Sequence, residues 1–288
     1  MLVLFTDTDC DVTPSLADEL GYKLISMPYT IDNVTTYPYK DSNEFDHTAF
    51  YNKLRTGVIP KTYAISPQEY INHFEPIFSN GDDILYVHFS KAMSGTFDSM
   101  NIALEELKEK YPERKFYTID TKSISIGSLA ICYEVSELYK QGYTVDQIIE
   151  KATMLVEKTA VYFYADDLKF FARSGRVSNI SAIMGGLIGI HPVIYLSQEG
   201  KMESISKGKG KIGTLKKIVS YVEELGEDIK NHRILIAHSD ALPTAELLVK
   251  MLEEKYGKLD VIYSVVNPTI GSHCGPSNIG VSFYAKHR

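Results

Sequence analysis

The chain has 288 residues, 44% hydrophobic and 23% charged, with a formal net charge of -7. That balance excludes a disordered chain, gives no broad basic footprint for nucleic acid, and leaves room for one large or two modest domains. Cys10, Cys132 and Cys274 show no CxxC spacing and so no disulfide framework, and no apolar run reaches the roughly 18 residues that span a bilayer.

The opening "MLVLFTDTD" is a short apolar run followed at once by acids. It reads as a strand, because a signal peptide needs a charged start and a longer apolar core; a cytoplasmic location is expected. "LVLFTD" (2–7), "KLISMPYTI" (23–31), "DILYVHFS" (83–90) and "KFYTID" (115–120) read as buried strands ending in polar loops. Between them, "DHTAFYNKLRTG" puts Phe50 and Leu54 at helical spacing. "SPQEYINHFEPIF" offers Ser66 as a cap and Pro67 at the first helical position. "GTFDSMNIALEELKEKY" is a long helix that begins just after Ser94 and Gly95. Strand, loop and helix repeated in this way predict a parallel sheet flanked by helices.

Two amphipathic segments follow, at about 124–141 and 145–157. The expected domain junction lies there: residues 1–158 form one α/β domain, and 159–288 a second with a mixed sheet. The second half reads as strand "AVYFYADDL", a hairpin "HPVIYLSQEGKMESIS" turning at Glu199 and Gly200, then helix "TLKKIVSYVEEL". Strand "RILIAHS", helix "TAELLVKMLEEKYG" and strand "DVIYSVV" complete it.

Ligands of α/β sheets gather at the C-terminal ends of strands. "TDTDCDVT", "PKTYAIS" (60–66) and "SKAMSGT" are polar loops read as falling at such ends. The last two join short hydroxyls to helix starts, where free N–H groups and a partial positive charge suit an anion. Taken singly, Ser94 and Thr62 also read as turn or capping residues, and His273 as a satisfied histidine in a Gly-rich loop. Asp7 and Asp9 raise an alternative, a metal-dependent phosphohydrolase, although "GDDI" (81–84) precedes its strand and supplies no partner carboxylate there. A plainer reading has Asp7 and Asp11 bonding neighbouring loops and capping the next helix. A calcium loop fails because Val12 stands where the sharp turn needs glycine. There is no P-loop and no nucleophile elbow around Ser94. Cys274 beside His273 forms no catalytic pair, since adjacent side chains on an extended loop diverge.

Six stretches in order resemble the DegV family of bacterial fatty-acid-binding proteins, the FakB-type subunits of fatty acid kinase. "DTDCDVTPSLADELG" is similar to an opening D-S-T-x-D-L, and "PKTYAISPQEY" stands where P-x-T-S-Q-P-S is usual. "SKAMSGTFDSMNIA" resembles S-x-x-L-S-G-T-x-x-S-A, and "IDTKSISIG" resembles D-S-x-x-x-S-x-G. "LKFFARSGRVS" and "SHCGPSNIG" resemble L-x-x-L-x-x-G-G-R-I-S and T-H-x-G-P-G-x-x-G. The resemblance implies two α/β domains with an acyl chain buried in the protein. It places the carboxylate at Thr62, Ser94, the backbone of Gly95 or Thr96, and His273. It implies a non-catalytic, cytoplasmic subunit, without metal or cofactor, that presents the fatty acid to a separate ATP-dependent kinase subunit for phospholipid synthesis. Tyr63, Ala64 and Ile65 depart from the pattern and make their loop more apolar. Ser174 replaces a glycine, and His191 stands where lysine is common. Lys209 and Lys211 stand for an R-x-R pair expected to dock the kinase; lysine keeps the charge but loses the bidentate fork.

The physics allows such a ligand. A buried methylene contributes about 0.8 kcal/mol, so a sixteen-carbon tail offers on the order of 10 kcal/mol before ordering costs. The carboxylate must find donors, because a buried unpaired charge is costly. Walls are expected from "AVYFY" (160–164) and "AIMGGLIGI" (182–190), where Gly185, Gly186 and Gly189 leave space.

Overall fold

A computed structural model describes residues 1–40, 42–178 and 189–288. The first sheet is four-stranded and wholly parallel, in the order β2 (Tyr22–Ile25), β1 (Leu2–Asp7), β6 (Asp83–His88), β7 (Phe116–Asp120). Leu4, Phe5, Ile84, Leu85, Tyr86 and Val87 are buried, as strands covered on both faces require. The helices around them start on sequence-coded caps. Thr13 Oγ1 accepts from Leu16 N ahead of Pro14–Leu20, and Ser66 Oγ accepts from Glu69 N ahead of Pro67–Ser79. A reciprocal pair between Thr144 and Gln147 opens Val145–Lys158.

The second sheet is mixed. Its order is β13 (Val261–Val265), β12 (Ile234–His238), β14 (Ile279–Tyr284), β8 (Thr159–Tyr164), β10 (Ile190–Leu196), β11 (Met202–Lys209), β9 (Val177–Ser178). β12 runs parallel to β13 and antiparallel to β14, and β10 and β11 form the expected hairpin. Helix Ile126–Lys140 packs between the two sheets. A Cβ on Gly127 would fall 2.5 Å from Val161 Cγ2 of β8, so only glycine permits that approach.

Three elements differ from the sequence reading. The run 23–31 is broken: β2 ends at Ile25, and β3 (Tyr29–Ile31) joins a separate antiparallel sheet with β4 (Val34–Thr36) and β5 (Lys61–Thr62). Pro28, which lacks an N–H, sits in the break. Thr62 therefore lies on an edge of this small sheet and not at the end of a parallel strand. His273 lies on a helix, Pro268–Cys274, capped by Asn267 Oδ1 accepting from Thr269 N at 2.9 Å. Finally, "IGVSFY" is the inner strand β14, a segment to which sequence reading assigned no element. Gly280 mutes its strand signal, yet a Cβ there would meet Phe163 Cβ at 3.0 Å. Of the expected wall segment 182–190, residues 182–188, with Gly185 and Gly186, lie outside the described residues.

Candidate functional site

One cavity of about 280 Å³ lies where the two main sheets and the small sheet converge. Thr62, Ser94, Gly95, Thr96 and His273 all line it, although they come from three separate segments of sequence. The remaining wall is largely apolar: Met27, Phe89, Met93, Ile126, Phe171, Leu196 and Met202, with Val161 and Phe163 from the run 160–164. The volume is near the low end of the roughly 300–1,000 Å³ common for small-molecule sites, and suits a narrow ligand.

Each polar residue has a local reason for its position. Thr62 is held by pairing of β5 with Tyr29 of β3, and its Oγ1 lies 2.8 Å from His273 Nε2. Ser94 follows the short turn Lys91–Met93, and its Oγ accepts from Thr96 N at 3.2 Å. Gly95, not Ser94, is the N-cap of the helix Thr96–Lys110; Ser94 steadies the turn before it and lines the cavity. Thr96 Oγ1 accepts from Ile65 N and bonds Tyr70 Oη at 3.1 Å, tying the loop after Thr62 to that helix. Thr96 thus braces the site by its hydroxyl.

Burial, and then the guanidinium of Arg176, push the His273 imidazole down to about 4. It is neutral at pH 7 and can donate one hydrogen bond. Arg176 lines the same cavity, a cation that sequence reading passed over although it stands in the quoted "SGRVS". It directly follows Gly175, whose left-handed backbone, with φ of 65°, ends the helix Leu168–Ser174.

The aspartates divide. Asp7 accepts from Tyr86 Oη at 2.9 Å and from Asp9 N at 3.0 Å, and burial raises its carboxyl to about 7. Asp11 accepts from Asn267 N at 2.8 Å and from Ser125 Oγ, and burial raises it to about 7 as well. Asp11 bonds neighbouring segments as expected, but Thr13 and not Asp11 caps the following helix. Asp9 lines the cavity; burial, then Asp7 and Asp11, raise its carboxyl well above the usual range. Metal-assisted phosphate chemistry needs ionised carboxylates. Here burial favours the neutral forms, and among the described residues no three His, Cys, Asp or Glu are grouped to hold a metal. Cys274 is buried, and its thiol is pushed up to about 12, away from the thiolate a nucleophile needs.

Lys209 and Lys211 are exposed near the start of helix Gly210–Leu225. Lys211 Nζ lies 3.5 Å from Asp166 Oδ2, and His191 Nδ1 lies 3.7 Å from Asp166 Oδ1.

Comparison with known proteins fits this architecture. The model of the DegV family, COG1307, matches residues 1–286. A DegV domain-containing protein of Clostridium perfringens is 34% identical over 281 residues, covering 98% of this chain and 96% of its own. The chain belongs to the DegV family. Among solved structures, a fatty-acid-binding DegV family protein of Streptococcus agalactiae is 26% identical, with a TM-score of 0.84 and coverage of 100% and 99%. A DegV family protein of Thermus thermophilus, described by its fatty acid binding, shares the fold at TM-score 0.87 and 23% identity, covering 99% of each chain. Among the described residues, no helix is long and apolar enough to cross a membrane.

Proposed function

We propose that this chain binds a long-chain fatty acid in the cavity and presents its carboxylate to a separate ATP-dependent kinase subunit, in the cytoplasm, for phospholipid synthesis. The observation that carries the reading is the convergence of Thr62, Ser94, Gly95, Thr96 and His273 on one otherwise apolar cavity. An acyl tail gains from the apolar wall, and its acid end needs donors. The hydroxyls of Thr62 and Ser94 rotate to donate, and the backbone N–H of Gly95 adds a third donor, Thr96 N being taken up by Ser94 Oγ; neutral His273 donates its one proton to Thr62 Oγ1 and so leaves the threonine proton for the acid. Arg176 supplies a positive charge on the same wall. The S. agalactiae relative, described as fatty acid binding, supports the ligand class.

In this reading the chain carries the substrate and contributes no catalytic residue, nucleotide site, metal or cofactor. It divides near residue 158 into an N-terminal domain bearing Thr62 and Ser94 and a C-terminal domain bearing His273. Lys209 and Lys211 face the kinase; Glu at both positions is expected to slow acyl phosphorylation while fatty acid affinity stays unchanged. The primary test is denaturing extraction of the purified protein followed by mass spectrometry. A long-chain fatty acid is expected; polar metabolites alone, or no ligand from delipidated protein after incubation with fatty acids, would defeat the reading.

A further inference from the structure

The hairpin of β10 and β11 reaches beyond its own sheet. Leu196 and Met202, the paired residues at its closed end, line the cavity, and Met202 also pairs with Val177, next to Arg176. The turn between them is tight: Ser197 N donates to Lys201 O at 2.8 Å, and Gly200 N to Ser197 O at 2.9 Å. Gly200 is buried, although Gln198 and Glu199 beside it are exposed. What covers it is the chain leaving β6 of the parallel sheet. Ser90 Oγ donates to Gly200 O at 2.8 Å, and a Cβ on Gly200 would collide with Ser90 Oγ and fall 3.0 Å from Lys122 Cα. Gly200 also has a φ of 75°, so both its backbone and its surroundings call for glycine.

The fully buried hydroxyl of Ser90 has two tasks. Its proton goes to Gly200 O, and its lone pairs accept from Ala92 N at 3.3 Å, capping the short turn Lys91–Met93. Met93 N closes that turn on Ser90 O at 3.1 Å. Ser94 and Gly95 follow at once and line the cavity. Only the 3 residues of the turn separate Ser90 from Ser94, so a displaced Ser90 carries Ser94 with it. One hairpin thus walls the cavity and braces the turn that ends at Ser94. Donors serve a carboxylate only at hydrogen-bond distance, and a site about 1 Å too loose loses its function. We propose that Gly200 is a positioning residue for the acid end, acting through Ser90 to hold Ser94 and Gly95 where a carboxylate meets them. The proposal rests on the fatty acid reading above and adds to it two residues behind the cavity wall.

In the test, full-length protein freed of lipid is titrated with a sixteen-carbon fatty acid and with the primary alcohol of the same length. Wild type is expected to prefer the acid, since hydrogen bonds to a charged group are the stronger ones. Gly200→Ala and Ser90→Ala are each expected to cut that preference about ten-fold, while affinity for the alcohol changes far less. Gly142→Ala controls for backbone strain: Gly142 too has a positive φ, of 82°, but a Cβ there meets nothing within 4 Å among the described residues. Its preference should stay at the wild-type value. A merely structural role for Gly200 would lower stability and leave the preference alone. An unchanged preference in Gly200→Ala and Ser90→Ala, or an equal drop in Gly142→Ala, overturns the proposal while fatty acid binding stands. Wild type that holds acid and alcohol alike has no acid end to position, which overturns it too. Wild type that takes up neither overturns the fatty acid reading and the proposal with it. If Gly200→Ala fails to fold, Ser90→Ala, which adds no atoms, decides alone.

Discussion

Thr62 Oγ1 and His273 Nε2 lie 2.8 Å apart, across 211 residues of sequence. The threonine rides on β5 of the small sheet and the histidine on helix Pro268–Cys274, next to the seven-stranded sheet. Their bond forms only when these elements have docked. Tyr51 Oη donating to Val266 O at 2.7 Å and Thr269 Oγ1 donating to Met27 O at 2.7 Å hold the same seam.

Thr62→Ala and Ser94→Ala test the acid end. A hydrogen bond to a charged group contributes about 1.5–3 kcal/mol, so each change is expected to weaken fatty acid binding by roughly ten-fold or more. Titration calorimetry on delipidated protein reads the loss, and a melting curve checks that the fold persists. Unaltered affinity in the double variant would remove both residues from the site.

The neutrality of His273 sets a pH dependence. Its folded value, about 4, is below the ordinary 6.5, so the unfolded chain takes up a proton that the folded chain refuses. The stability involved is whole above pH 6.5 and drains as pH falls toward 4, on the order of 3 kcal/mol in all. Asp7 and Asp11, raised to about 7, work in the opposite sense: their contribution is whole below about 3.8 and is lost as pH rises through 7. Comparison with His273→Gln isolates the histidine. In urea unfolding, the stability of wild type minus that of the variant should fall between pH 7 and pH 4.5.

Arg176→Gln removes the lesser of the two causes acting on His273. The imidazole should titrate higher than in wild type yet still below 6.5, because burial is the larger cause. Ring resonances followed by NMR through the acid range check this. No movement would place Arg176 outside electrostatic reach.

Asp9→Val exchanges a buried, unpartnered carboxyl for an apolar side chain. The folded protein should gain about 1–3 kcal/mol, read as a higher urea midpoint at unchanged slope. A lower midpoint would mean that the carboxyl is satisfied in solution.

Gly271→Ala should cost about 1–3 kcal/mol, since the added Cβ would fall 2.6 Å from Tyr51 Oη and 3.0 Å from Phe50 Cε1. Because this helix carries His273, fatty acid affinity should fall along with the unfolding midpoint.

Local chemistry made much of this architecture readable. Ser66 and Pro67 marked a helix start, and apolar runs marked β1, β6 and β7, because caps and burial leave signals within a few residues. β14 was hidden for the opposite reason: its central place comes from pairing with β8 and β12, partners about 120 and 45 residues away. The residues proposed for the acid end stood out through resemblance of their motifs, since singly each also suited a cap, a turn or a satisfied loop position. Arg176 could not be weighted from sequence, because what distinguishes it is the cavity it lines.

The helix between the sheets, seated on β8 through Gly127, makes the two halves share one interior. Severing the chain there would leave the hydroxyls of Thr62 and Ser94 on one fragment and the imidazole of His273 on the other. Neither piece would own a complete vessel, so the proposed holding of cargo would be a property of the assembled pair alone.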